Sequence, residues 1–275
     1  MRKFIFIILL IASFPMLFSA CQEEEGLEMQ EEEQWEEVIV RSDGNSHYLT
    51  IEELCTIFKF DATFDAEKRT AFIGALHNFL LRCAPFRKVV YAIYQEIGYN
   101  EDKKITVSIN PRHSGFDSSN PYALYDYEKN TMIFSTNNDA NNSILVIHEL
   151  IHHWQKLVGG KRVFYYENLR NTEFEVIFLL DAMVVKNQNK GIDIDHALIQ
   201  YFRYRAPQTP YTKAEKQEYL TVIIGALSGD ISTHRDDLER FAKNYKSYSH
   251  VGYTLNWGFP IIERLLDIES PNYIF

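Results

Sequence analysis

The stretch Ser143-Ile144-Leu145-Val146-Ile147-His148-Glu149-Leu150-Ile151-His152-His153-Trp154-Gln155 decides how the chain is read. Neither Gly nor Pro interrupts it, and its apolar residues run nearly all the way round a helical projection, which predicts a buried helix. A buried helix should not carry His148, Glu149 and His152 unless they are paired or hold a metal ion. The i, i+4 spacing puts both imidazoles on one side, one turn apart, with Glu149 beside them. Two imidazoles so placed can chelate one zinc ion, and the neighbouring carboxylate can take a proton from an attacking water. The competing reading, two core histidines bonded to backbone, gives Glu149 nothing to do. His153 falls one position off the pair, as a packing residue or part of the rim.

Downstream, Arg170-Asn171-Thr172-Glu173-Phe174-Glu175 opens a second apolar run that continues through Asp181 to Val185. Glu173 stands 21 residues after His152, enough for a helix end, a turn and a returning helix. A carboxylate from that returning helix completes a two-His, one-Glu set and leaves a fourth position open, as catalytic zinc requires. The segment resembles the Glu-aromatic-Glu segment on the third-ligand helix of the gluzincin metallopeptidases. That resemblance implies Glu173 as the ligand, with Glu175 as the alternative. The gluzincin pattern continues with Asp four residues after the ligand Glu, where this chain has Ile177. The histidine-orienting role then falls to Glu175 or to Asp181, the latter about 12 Å further along the helix axis.

Upstream, residues 104–109 alternate and end at Asn110-Pro111, predicting a strand. Residues 122–127 and 131–135, joined by Glu128-Lys129-Asn130, predict a hairpin, and Asn142 or Ser143 should cap the His148 helix. A small mixed or antiparallel sheet ahead of a metal-binding helix, in a mostly helical α+β chain, resembles the zincin layout. There the sheet edge lines the cleft and an extended substrate pairs with it. Helices are expected over residues 66–81, 86–97, 213–227, 236–245 and 260–267, and a short strand within 38–48. Thr50-Ile51-Glu52-Glu53 reads as a capping box opening one more helix.

The first 37 residues have a different character. Arg2 and Lys3 precede an apolar run over residues 4–18, then Ser19, Ala20 and Cys21, which is the order of an export signal. Phe18-Ser19-Ala20-Cys21 resembles a bacterial lipobox with Phe where Leu is usual, implying cleavage before Cys21 and lipidation of its thiol. Nine glutamates and no basic residue follow within residues 22–37, predicting an extended tether. An acidic run after a lipidated Cys resembles the signal that sends lipoproteins of Bacteroidetes-type bacteria to the outer face of the outer membrane; a periplasm-facing anchor is the alternative. The expected organisation is a signal peptide at 1–20, a tether at 21–37 and a single domain at 38–275.

The formal charge of −10 becomes −12 without the two basic residues of 1–20, and −3 once the nine tether glutamates are set aside. The body is therefore only mildly acidic. With no basic stripe, nucleic acid is not an expected partner. Its 46% apolar and 14% aromatic residues suffice for a sizeable core. Cys55 and Cys83 can pair or stay as separate thiols. The expected activity is zinc-dependent hydrolysis, of a peptide bond first and of a non-peptide envelope amide second; a surface protein that binds without turnover is the reading from another class. His234, His250, Tyr253 and Arg235 are the candidates for stabilising a negative oxygen on the substrate.

Overall fold

Helix α1, Ile51–Ile57, begins where the sequence asks: Thr50 accepts from Glu53 N, and the Glu53 side chain accepts from Thr50 N at 2.8 Å. In this computed structural model residues 48–82, 84–98, 100–116, 122–164, 168–187, 201–202, 212–227 and 232–245 are described. By its contacts the chain divides after Tyr48, and every element below belongs to the unit that starts at Leu49. The expected final helix, Cys21, and all of the expected first strand except Tyr48 lie outside the described residues.

The described elements are mostly helical. Strand β1, Phe58–Phe60, follows α1 directly, and α2, Ala66–Arg82, and α3, Ala84–Ile97, come next. Strands β2, Ile105–Ile109, β3, Ala123–Asp126, and β4, Thr131–Phe134, complete a four-stranded sheet in the order β1-β2-β4-β3. β1 and β4 run parallel to β2, whereas β3 is antiparallel to β4 and forms an edge. Strand β1 was not expected from the sequence. Three residues are too few to show a period, and its partner, beginning at Ile105, is distant in the chain.

A short helix α4, Asn137–Ala140, leads to α5, Ser143–Gly159, which carries the two histidines. Asn142 caps α5, its Oδ1 accepting from Ile144 N at 3.1 Å and Leu145 N at 3.4 Å. Gly160 ends it at φ 69°, a left-handed conformation that favours glycine, with its N–H donating to Lys156 O. The returning helix α6 spans Leu169–Asn187. Helices α7, Lys213–Leu227, and α8, Arg235–Asn244, pack on its far side.

Packing explains why α5 and α6 are apolar all round. α5 lies against α2, α3, α6 and the β3 edge, burying Val146, Ile147, Leu150, Ile151 and Trp154. α6 buries Phe174, Val176, Ile177, Phe178, Leu179 and Leu180 between α5, α3 and the C-terminal helices. Each large apolar side chain so buried contributes about 1.5–3 kcal/mol, enough to hold polar groups in register between the two helices. Phe58, Phe72 and Phe134 join the sheet to α2, with Phe72 edge-on to both partners. No described helix is long and apolar enough to cross a membrane.

Candidate metal centre

The i, i+4 spacing on α5 brings the His148 and His152 rings to 4.9 Å between centroids, with their Nε2 atoms 3.2 Å apart. From α6, Glu173 reaches both: Oε1 is 3.3 Å from His152 Nε2 and Oε2 is 3.6 Å from His148 Nε2. The two Nε2 atoms stand 3.2 Å apart and Glu173 turns one oxygen to each, so that one ligand atom from each residue lies within 4.8 Å of the others, close enough to share one cation. Neutral imidazole and carboxylate are also the donor types that a borderline divalent cation takes. The residues present fit a metal ion, and His148, His152 and Glu173 are the group that can hold it.

Exposure gives the cluster a direction. The His148 and Glu173 side chains are 22% and 18% accessible and His152 only 7%, so the open corner lies on the His148–Glu173 side. Glu149 is buried beside the cluster, and among the described residues no hydrogen bond is made to its carboxylate. Burial pushes the Glu149 carboxyl up from its ordinary value, the two histidines pull it part of the way back, and Glu173 adds to the rise. A carboxylate made more basic in this way is a better proton acceptor.

Without a cation the three donors form an ion-pair cluster. Burial disfavours charge on His152, but the Glu173 carboxylate overrides it, with help from Glu149 and Gln155, and raises the imidazolium to about 9. Burial likewise opposes charge on Glu173, yet the two rings hold its carboxyl well below the usual range.

Glu173, rather than Glu175, is the carboxylate at the two rings. Glu175 points to the other partner of α5, accepting from Gln155 Nε2 at 3.0 Å, while His152 Nδ1 lies 2.8 Å from Gln155 Oε1. Gln155 was not singled out in the sequence, although a glutamine three residues beyond His152 in a helix this apolar was the available signal. The expectation for Asp181 is corrected: its Oδ2 accepts from Tyr201 N at 3.0 Å and from Tyr219 Oη at 3.1 Å. Eight residues of rise carry it to where α6 meets α7, within the Tyr201–Tyr219 stack, where it serves packing.

His153 joins the sheet to α5. Its Nδ1, Tyr125 Oη and Lys156 Nζ converge on Asn130 Oδ1 at 2.9, 2.5 and 3.2 Å, and Asn130 Nδ2 donates to Lys103 O and Lys104 O. Burial, with Lys156 and Lys103 nearby, lowers His153 to about 3 and keeps the ring neutral. Asn130 adopts φ 55° in the β3–β4 turn, a conformation asparagine tolerates better than most residues. Phe164 closes the inner wall, edge-on to His152 and stacked on Tyr127 at 4.9 Å.

The four candidates for stabilising a negative oxygen divide. His234 ends a 3-10 turn, Ser232–His234, with Nδ1 3.7 Å from Asp237 Oδ2, and packs so closely on Gly225 of α7 that a methyl group there would collide with its ring. These contacts tie His234 to the seam between α7 and α8. Arg235 is exposed at the start of α8. His250 and Tyr253 lie outside the described residues. Cys55 is an exposed free thiol.

No family model matches the chain, and no curated protein or solved structure is significantly similar to it.

Proposed function

We propose that this protein is a zinc-dependent hydrolase of the gluzincin type, acting on the peptide bonds of a peptide or protein. The observation that carries the reading is the convergence of His148, His152 and Glu173 from two helices into one cluster that could hold a metal ion, with Glu149 buried at its side. A zinc ion held there supplies Lewis acidity toward a carbonyl oxygen and acidifies water at the free coordination position. Glu149 accepts a proton from the attacking water and returns it to the departing amine. Among the described residues β3 pairs only with β4, so its outer edge, beside α5, offers backbone groups with which an extended chain can align. Charge on the substrate oxygen falls to one of His234, Arg235, His250 and Tyr253.

Export, with lipidation of Cys21 and display on the outer membrane, belongs to the same proposal. It is supported by the order of basic, apolar and small residues before Cys21 and by the acidic run after it. Nucleic acid has no place in it.

The test is metal content and cleavage of a peptide library by wild type and Glu149→Gln. Both should bind about one zinc per chain, with cleavage falling by about 10²–10⁴-fold in the variant. Zinc bound by both with cleavage by neither refutes peptide hydrolysis; absence of zinc from the wild type refutes the metal site itself.

A further inference from the structure

The gluzincin resemblance leads one to expect an aspartate four residues after Glu173 to orient a histidine ligand, and this chain has Ile177 there, buried at 3% exposure. The two helices hold a different device. Gln155 is completely buried one turn beyond His152, and its amide nitrogen reaches two groups on α6, Thr172 O at 2.8 Å and Glu175 Oε2 at 3.0 Å. Thr172 and Glu175 are both buried at 1% exposure, and the Thr172 hydroxyl is itself spent on Val163 O and Asn168 O at 2.6 and 3.1 Å.

Chemistry fixes which way the Gln155 amide faces. A backbone carbonyl can only accept, so the NH₂ end must face Thr172 O, and its second hydrogen meets Glu175. The oxygen end is thereby turned toward His152 Nδ1, 2.8 Å away. An amide oxygen also only accepts, so Nδ1 must carry the proton. A neutral His152 then has its lone pair on Nε2, the atom that faces Glu173 and His148.

We infer that Gln155, anchored by Thr172 O and Glu175, is a positioning residue that sets the tautomer and ring plane of His152 for metal binding through Nε2. This rests on the metal reading above. It assigns to α5 itself, backed by α6, the work that an aspartate on the third-ligand helix would otherwise do. An aliphatic side chain of similar length would fill the space without supplying an acceptor, leaving Nδ1–H unpaired in the interior and the ring free to present either nitrogen.

The test begins with the wild-type protein, histidine-labelled with a nitrogen isotope and loaded with spin-active cadmium. The His152 resonance should show metal coupling to Nε2 alone and a slowly exchanging proton on Nδ1. Gln155→Met should lose that protected proton and bind zinc about 10- to 100-fold more weakly in competition with a chelator. Gln155→Glu, measured at a pH low enough for its buried acid to keep the proton that faces Thr172 O and Glu175, restores a carbonyl oxygen facing Nδ1 and should keep more of the affinity than Gln155→Met at that pH. Coupling of the metal to Nδ1, or a rapidly exchanging Nδ1 proton in the wild type, overturns the inference even if neither variant folds. Equal zinc affinity in folded Gln155→Met and wild type also overturns it and leaves the metal site standing. A wild type that binds neither cadmium nor zinc overturns both.

Discussion

Loading the metal-free protein with zinc at pH 7 should release about one proton from His152, and the reason lies in the ion-pair cluster. Glu173 Oε1, 3.3 Å from His152 Nε2, is the main opponent of burial and raises that imidazolium to about 9. The proton occupies the atom that a cation needs, so metal and proton compete for it. At pH 7, two units below the pKa, removing the proton costs about 3 kcal/mol, and the apparent zinc affinity should be about a hundredfold weaker than above pH 9. The sign follows from the raised value: affinity climbs about tenfold between pH 7 and pH 8 and levels off beyond pH 9. Titration calorimetry in two buffers of unlike ionisation enthalpy counts the protons, with zinc delivered from a weak chelator. Glu173→Gln removes the charge that raises His152, and its proton release at pH 7 should fall below about a quarter. Equal affinities at pH 7 and pH 8, or heats independent of the buffer, would refute the reasoning.

Other expectations concern the scaffold. The metal-free fold should lose stability as the pH rises from 6.5 through about 9, because the His152 contribution is fully present below its unfolded value and disappears as the folded-state proton leaves. Thermal melts of metal-free protein across that range measure the loss. Asp181→Ala should cost about 1–3 kcal/mol in denaturant unfolding, since Tyr201 N and Tyr219 Oη both donate to the oxygen it removes. Its zinc affinity should be unchanged; a large loss of zinc would return Asp181 to the metal site. Asn142→Ala removes the acceptor for two N–H groups at the start of α5 and should cost about 1 kcal/mol, or about 2–4 °C in Tm. Gly160→Ala meets no neighbouring atom, so any loss, about 1–2 kcal/mol, comes from the left-handed backbone alone.

Legibility in the sequence followed the range of the interaction. The capping box at Thr50, the cap at Asn142, the hairpin around Asn130 and the one-turn spacing of His148 and His152 all arise within a few residues. Backbone geometry alone dictates them, and they stand where expected. Strand β1 escaped because it is recognised only through its pairing with residues 47 positions downstream, Phe58 with Ile105. Asp181 misled because polarity in an apolar helix says that a partner exists, not which one; its partners include Tyr201 and Tyr219.

The sequence by itself determined that a buried helix would present two imidazoles and a carboxylate on one side, because the helical period leaves no other arrangement. It narrowed the third ligand to Glu173 or Glu175 but could not choose, since adjacent odd positions on α6 differ by most of half a turn and the choice depends on how that helix is rotated against α5. Tertiary packing made the choice. With Phe174, Val176 and Ile177 buried, α6 turns Glu173 toward the histidines and Glu175 toward Gln155. One rotation of one helix thus brings a carboxylate to the two histidines on one side and a hydrogen bond to Gln155 on the other.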